Sequence, residues 1–429
     1  MPKLTLISPP SPHRVSPDPN GMPLGLCMLA SMVRDFIDVI IIDGYSNAYE
    51  IDRVADLALQ SNPDFVGISM PFAFSQKPAL AISEKINNER PEIMIIAGGN
   101  QATFRSDEII EHDCIDFIVI GEGEQSFVEL IRNVDSAKLN PPDGVKVKSG
   151  PCIPRPMNHD LDSLPYPSFD LLHGFPEFYT ARLITSRGCP FSCPYCSTMQ
   201  FWTKRYRGRS ASSVVDEIRW QRDTYGIKRI SFADDTYNIN RKRCIEISEA
   251  LIDADLGVHW GASMRPDLVT KNDIDLYVRS GMSGLFMGME SGSPEILKGL
   301  TRKHDLDKTR DLIAYAESLG VEVHCSFMLG LPDERESDMQ ATIDYAKSLA
   351  ASSLGFHIFH PLPGSEYGEN IDGFGIEFEN PETAIESLGS IDGAAPIRTK
   401  HLTSMQIVDY YWQARGVADD RRREVELPR

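Results

Sequence analysis

Short, nearly continuous apolar runs alternate with helical stretches along most of the chain, which restricts it to α/β architectures. The first series of runs is LTLISPP (Leu4–Pro10), VIIIDG (Val39–Gly44), DFVGISM (Asp64–Met70), IMIIAGG (Ile93–Gly99) and DFIVIGEG (Asp116–Gly123). Helical patterns separate them at Leu24–Phe36, Tyr49–Gln60 and Lys77–Asn88. Strands that are apolar throughout are buried on both faces, as in a parallel sheet covered by helices. Residues 1–136 are therefore expected to form a doubly wound, Rossmann-like parallel-sheet domain. Ligands of such a sheet bind beyond the carboxyl ends of its strands.

Prolines cluster between residues 137 and 180, which reads as a linker with little regular structure. A second series follows: ARLITSRG (Ala181–Gly188), RISFADD (Arg229–Asp235), VHWGASMR (Val258–Arg265), GLFMGMESG (Gly284–Gly292), VEVHCSFMLG (Val321–Gly330) and GFHIFHPLPG (Gly355–Gly364). Six strands alternating with five helices suit a partial (β/α)₆ TIM-type barrel over residues 181–366, with its chemistry at the carboxyl ends of the strands. Residues 367–429 read as a polar tail.

The 429 residues carry 43 Lys and Arg against 62 Asp and Glu, a net charge of −19, which disfavours a phosphate-backbone partner. No apolar run approaches the ~20 residues of a membrane span, and the amino terminus lacks a signal-peptide pattern. The expectation is a cytoplasmic enzyme acting on a small molecule, with no nucleic-acid partner. In that compartment the eight cysteines point to metal binding or catalysis rather than a disulfide framework.

Three of them form a C-x₃-C-x₂-C run, Cys189, Cys193 and Cys196, just after the first barrel strand. Thiolates suit zinc or iron–sulfur clusters. A structural zinc site needs a fourth ligand, which only a distant histidine would supply here. A [4Fe–4S] cluster on three thiolates keeps one iron open for another ligand. Ser186-Arg187-Gly188-Cys189-Pro190-x-x-Cys193-x-x-Cys196 resembles the cluster motif of radical S-adenosylmethionine (SAM) enzymes. Asp234-Asp235-Thr236, Arg265, Gly288-Met289-Glu290-Ser291-Gly292, Gly330-Leu331-Pro332 and Pro361-Leu362-Pro363-Gly364-Ser365 extend the resemblance along the barrel. It implies a free iron that chelates SAM, reductive cleavage to a 5′-deoxyadenosyl radical, and an electron donor such as flavodoxin or ferredoxin. Tyr195 matches the aromatic residue expected near the adenine. Chemically, Glu290 would accept from the ribose hydroxyls or the ammonium, Arg265 would pair with the carboxylate through two parallel hydrogen bonds, and Asp235 would face the ammonium. The plain alternative for each is a salt bridge or turn at the barrel mouth.

The front domain resembles that of cobalamin-dependent radical SAM proteins. The resemblance rests on Ser8-Pro9-Pro10, Pro23-Leu24-Gly25-Leu26, Gly67-Ile68-Ser69, Gly98-Gly99-Asn100-Gln101 and Ile120-Gly121-Glu122-Gly123. It implies that Ser69, Gly98, Gly99, Gly121 and Glu122 lie at a cobalamin site. Asp43 is followed by Gly44-Tyr45-Ser46-Asn47, so the usual Asp-x-His motif for a lower axial histidine is missing. The implied activity is C-methylation of an unactivated carbon in a small biosynthetic intermediate, through the 5′-deoxyadenosyl radical and methylcobalamin. The alternatives are oxidation, cyclisation or rearrangement with the same cofactors, and a cobalamin sensor or carrier with an inactive barrel. A methylthiotransferase would hold a second cluster on Cys27, Cys114 and Cys152, but their spacing is uneven. Lys204–Arg209 is a basic patch that would either bind an anion or form a solvated turn before a helix capped by Ser210 or Ser213. Cys244 and Cys325 read as core thiols. Alternation puts His324 and Ser326 on one barrel face, and His357 or His360 would serve proton transfer. Tyr166, Tyr179 and Phe191 are candidates for packing between domains.

Overall fold

A computed structural model of the chain describes residues 1–11, 22–174, 180–380 and 397–426; Tyr179 lies outside the described residues. The chain divides into two compact units, Met1–Tyr179 and Thr180–Arg429.

In the first unit one sheet contains β1 (Lys3–Ser8), β2 (Asp38–Asp43), β3 (Phe65–Ser69), β4 (Met94–Gly98), β5 (Phe117–Val119) and β6 (Val145–Lys146), in the order β2-β1-β3-β4-β5-β6. The first five are parallel, and β6 pairs antiparallel with β5. Helices cover both faces, which is why the strands are apolar throughout. Val54, Ala58, Ile82 and Ile86 of helices Ile51–Gln60 and Gln76–Glu89 join one core with Ile7, Ile42, Val66 and Ile95. On the opposite face Phe127 of helix Glu124–Arg132 packs over Leu6 and Gly67. The strand order reverses between β1 and β3, the topological switch where such sheets bind ligands.

The proline-rich stretch differs from the expected loose linker. It supplies β6 and buries Leu161, Phe169 and Leu172. Asp170 also receives two parallel hydrogen bonds from Arg34, at 3.0 and 2.7 Å.

The second unit contains β7 (Thr180–Leu183), β8 (Ser186–Arg187), β9 (Arg207–Gly208), β10 (Arg229–Phe232), β11 (His259–Met264), β12 (Met282–Glu290), β13 (Glu322–Leu329) and β14 (Ser353–Ile358). Six of them form a parallel sheet in the order β14-β13-β12-β11-β10-β7, which is not closed. Alternation sorts the side chains. Val323, Cys325 and Phe327 are buried beneath helices, while Glu322 and His324 face the lumen. The short antiparallel hairpin of β8 and β9 brackets the cysteine loop. The expected featureless tail contains helix Ser404–Glu426, which packs on β14. Ile407, Tyr411, Ala414 and Ala418 form its buried stripe. No described helix is long and apolar enough to cross a membrane.

Candidate active site

The cysteine loop leaves the sheet between β8 and β9, and Asp234 anchors its start. The Asp234 carboxylate accepts from the Thr185 amide at 2.7 Å and from the Thr185 and Ser186 hydroxyls at 2.5 Å each. Gly188 then turns with φ +86°, and a Cβ there would lie 1.9 Å from the Arg205 carbonyl, so only glycine fits. The Gly188 amide donates to Asp235 at 3.0 Å. Asp235 also accepts from the Thr198 hydroxyl at 3.4 Å, so two adjacent carboxylates following β10 hold the loop before and after its cysteines.

Cys189, Cys193 and Cys196 line one cavity of about 230 Å³ together with Tyr195, Thr198, Asp235, Arg265, Glu290 and Arg302. The eight cysteines are all free thiols. Burial pushes the thiols of Cys189 and Cys196 up, and binding to a metal would remove their protons. Among the described residues no three His, Cys, Asp or Glu side chains converge tightly enough to hold a single metal ion. Thiols that share a cavity without meeting at one point fit a cluster, in which each ligates a different iron.

Around this loop the charged groups differ in detail from the sequence expectation. Arg265 does make two parallel hydrogen bonds to a carboxylate, but the partner is Asp267, at 3.0 and 2.9 Å. Its remaining terminal nitrogen stands 3.8 Å from the Cys193 sulfur, and its guanidinium lies 3.8 Å above the Phe191 ring. Phe191, half-buried, therefore packs on Arg265. Glu290 ends β12 with φ +63° and is buried against Arg302 as an ion pair. Tyr195 joins that pair. Its hydroxyl donates to Glu290 at 2.9 Å and accepts from Arg302 at 2.9 Å. Burial opposes the charge of Arg302, yet Glu290 and Tyr195 hold its pKa above the usual value. Burial pushes the Asp235 carboxyl up.

Sequence reasoning missed Arg302. It sits in a loop beyond helix Pro294–Gly299, with no motif to mark it. The basic patch divides: Lys204 and Arg205 are exposed in the turn before the helix, as a solvated turn would have them, whereas the other two arginines turn inward. Arg207 is buried and lies over Trp202 at 5.4 Å, while Arg209 pairs with buried Glu217 and donates to the Ile184 carbonyl at 3.1 Å. Ser210 caps the following helix by accepting from the Ser213 amide at 3.2 Å. Cys244 and Cys325 are buried.

In the first unit Ser69 and Gly98 end β3 and β4. Gly99 has φ +101°, and a Cβ there would lie 2.8 Å from the Met70 carbonyl. The Gly121 amide donates to Thr103 at 3.0 Å, and nothing stands within 4 Å of where its Cβ would be. Glu122 is engaged, accepting from the Asn158 amide at 3.0 Å. Tyr45, Phe72 and Phe74 stack near the same sheet end, with centroids 6.4 and 5.1 Å apart. Gly99 is needed for the close approach of the Met70 backbone, while the open turn at Gly121 and a half-exposed aromatic surface fit a large flat corrin. Cys27 and Cys114 are buried apart from these loops, which gives no support to a second cluster.

The Radical SAM superfamily model matches residues 183–346, and the B12 binding domain model matches residues 14–131. An uncharacterised methyltransferase of Pyrococcus horikoshii is 34% identical over 387 residues, spanning 86% of this chain and 82% of that protein. An anaerobic magnesium-protoporphyrin IX monomethyl ester cyclase of Rubrivivax gelatinosus is 28% identical over 402 residues, spanning 87% and 71%. Among solved structures, the radical S-adenosylmethionine methyltransferase TsrM of Kitasatospora setae, with cobalamin and a [4Fe–4S] cluster bound, superposes with a TM-score of 0.74. That comparison covers 96% of this chain and 91% of TsrM at 17% identity.

Proposed function

The chain belongs to the radical SAM superfamily, in the group that carries a B12-binding domain, and from that premise we propose that it C-methylates an unactivated carbon of a small molecule. Its cofactors are SAM, a [4Fe–4S] cluster and cobalamin. When bound, the cluster and SAM supply a hydrogen-abstracting radical, and the corrin supplies a transferable methyl group.

The observation that carries this reading is the single cavity lined by Cys189, Cys193, Cys196, Asp235, Arg265 and Glu290 at the carboxyl ends of an open parallel sheet. The three thiols would hold the cluster. Asp235, already fixed by the Gly188 amide, keeps acceptor capacity for the SAM ammonium. Arg265 gives its fork to Asp267, so its role is to place positive charge beside Cys193 and to seat Phe191. Glu290, neutralised by Arg302, presents an acceptor for the ribose diol. In the first unit Ser69, Gly98 and Gly121 would leave room for the corrin, with Tyr45 and Phe74 nearby, and Gly99 would set the path of the turn against Met70. No histidine follows Asp43 to ligate the cobalt.

Anaerobic reconstitution with iron, sulfide and hydroxocobalamin, followed by reduction with SAM, tests the proposal. The expected products are 5′-deoxyadenosine and S-adenosylhomocysteine together. The cyclase relative favours a second reading with the same cofactors and no methyl transfer. Deoxyadenosine without S-adenosylhomocysteine would establish that reading. Cluster assembly without SAM cleavage would reject both and leave a sensor or carrier.

A further inference from the structure

The lumen of the open barrel holds a second cavity of about 520 Å³ below the cysteine site. Ser263 and Phe286 line both cavities, so the two spaces share a wall. Among the described residues Phe286 is the one large apolar side chain lining this cavity that is exposed, at 39%. An aromatic ring left open inside a barrel, rather than on the outer surface, lacks a covering group.

The geometry of its neighbours defines what that group is. Phe286 on β12 is the register partner of His324 on β13, and the two rings stack with centroids 4.8 Å apart and planes 20° from parallel. That separation equals the spacing of neighbouring strands, so both rings stand up from the sheet and stack along the inter-strand direction. Ser353, one strand further, locks His324 through a 2.6 Å contact to Nδ1. On the other side the register partner of Phe286 is Ser263 on β11. Its hydroxymethyl group is too short to cover the ring. Gly261 and Ser231, facing the lumen on β11 and β10, keep the adjoining floor clear. The result is an open recess with the free face of Phe286 as one wall, Ser263 and Ser231 beside it, Glu322 on its lining and the cysteine cavity adjoining it.

We propose that this recess is the substrate subsite and that it takes a planar aromatic or heteroaromatic ring, which becomes the third member of a His324–Phe286–ring stack. The proposal rests on the enzyme reading above and adds the substrate class. Ring heteroatoms would meet the hydroxyls of Ser231 and Ser263, and a carbon on the upper edge of the ring would face the cavity of Cys189, Cys193 and Cys196. His357, on the same β14 face as Ser353, closes the far side of the stack beyond Gly355, where a Cβ would lie 3.0 Å from His324 Nε2 and 3.6 Å from His357 Nε2.

The test uses the reconstituted full-length protein with indole as the probe and cyclohexylmethanol as a non-aromatic control, followed by ligand-observed NMR. Indole is expected to saturate and cyclohexylmethanol to bind at least several-fold more weakly. Phe286→Leu should weaken indole roughly two- to tenfold, the worth of one aromatic pair. Ser263→Phe should fill the recess with the protein's own ring and abolish binding. An unchanged melting temperature and cluster absorbance would show that both variants are folded and loaded. The proposal is overturned by any of three results: no indole saturation below about 10 mM, equal binding of the two probes, or undiminished indole affinity in Ser263→Phe. Because Ser263 and Phe286 also border the cysteine cavity, 5′-deoxyadenosine formation is read on the unsubstituted protein, where its presence without selective indole binding separates failure of the subsite from failure of the enzyme reading.

Discussion

At the scale of single residues, the site depends on charges buried in pairs. Glu290 and Arg302 are both nearly inaccessible, and each is tolerable only because the other is there. Arg302→Met should leave an uncompensated carboxylate beside Tyr195 and cost about 3–5 kcal/mol. Urea denaturation of the two proteins at neutral pH would measure that loss. A variant as stable as the parent would show that the pair is dispensable to the fold. This interaction also marks the limit of what the sequence conveys. Cys189, Cys193 and Cys196 announce themselves because three cysteines at close spacing sit on one short loop. Glu290 is found because it ends a strand. Arg302 is invisible because its role comes from a loop folding back past a short helix, a contact with no periodicity. Arg265 is expected to face the carboxylate of SAM, but its fork is taken by Asp267, two residues away on the same turn, a local pairing that strand-end position does not reveal.

At the scale of elements, the turn after β13 is a second buried arrangement with a measurable signature. Glu334 is wholly buried, and one carboxyl oxygen accepts from the amides of Gly330 at 2.7 Å and Leu331 at 3.0 Å. The other oxygen has no partner among the described residues. Burial raises the pKa of Glu334 to about 8. Between its ordinary value of 4.5 and about 8 the folded chain keeps a proton that the unfolded chain has released. Stability must therefore fall as pH rises through that window, by up to about 1.4 kcal/mol per pH unit from this group. Glu334→Gln keeps the acceptor and removes the titration, so its melting temperature should fall less than the parent's between pH 5 and pH 8. Parallel melting curves for the two proteins would rebut the assignment. The same turn receives helix Ser404–Glu426, whose Ile407 comes within 2.9 Å of a Cβ built on Gly330. That helix was legible in principle, since Ile407, Tyr411, Ala414 and Ala418 recur at helical spacing. Its charged outer face and two small buried residues hid the pattern. The β8–β9 hairpin had no such signal, because two residues per strand are too few to show alternation. The strands of the first unit were legible because burial on both faces demands unbroken apolar sequence, and those of the second because buried and lumen-facing residues alternate.

At the scale of the whole molecule, each of the two units has a core of its own, and the groups that fit each cofactor lie within one unit. Cys189, Cys193 and Cys196 belong to the second unit, while Ser69, Gly98, Gly99 and Gly121 belong to the first. Loading of one cofactor should therefore survive loss of the other. Cys193→Ala in the full-length chain removes one of three thiolates from a site that has no fourth protein thiolate in its cavity. Such a variant should lose most of its iron, its cluster absorbance and all 5′-deoxyadenosine formation. Hydroxocobalamin should still bind with an affinity within about twofold of the parent, a difference under 0.5 kcal/mol. Absorbance spectra, iron content and equilibrium dialysis with hydroxocobalamin on the same preparation measure all three. Retained deoxyadenosine formation would reject the cysteine assignment. Simultaneous loss of cobalamin would instead show that the two sites are energetically coupled, so that the first unit is organised by what the second one holds.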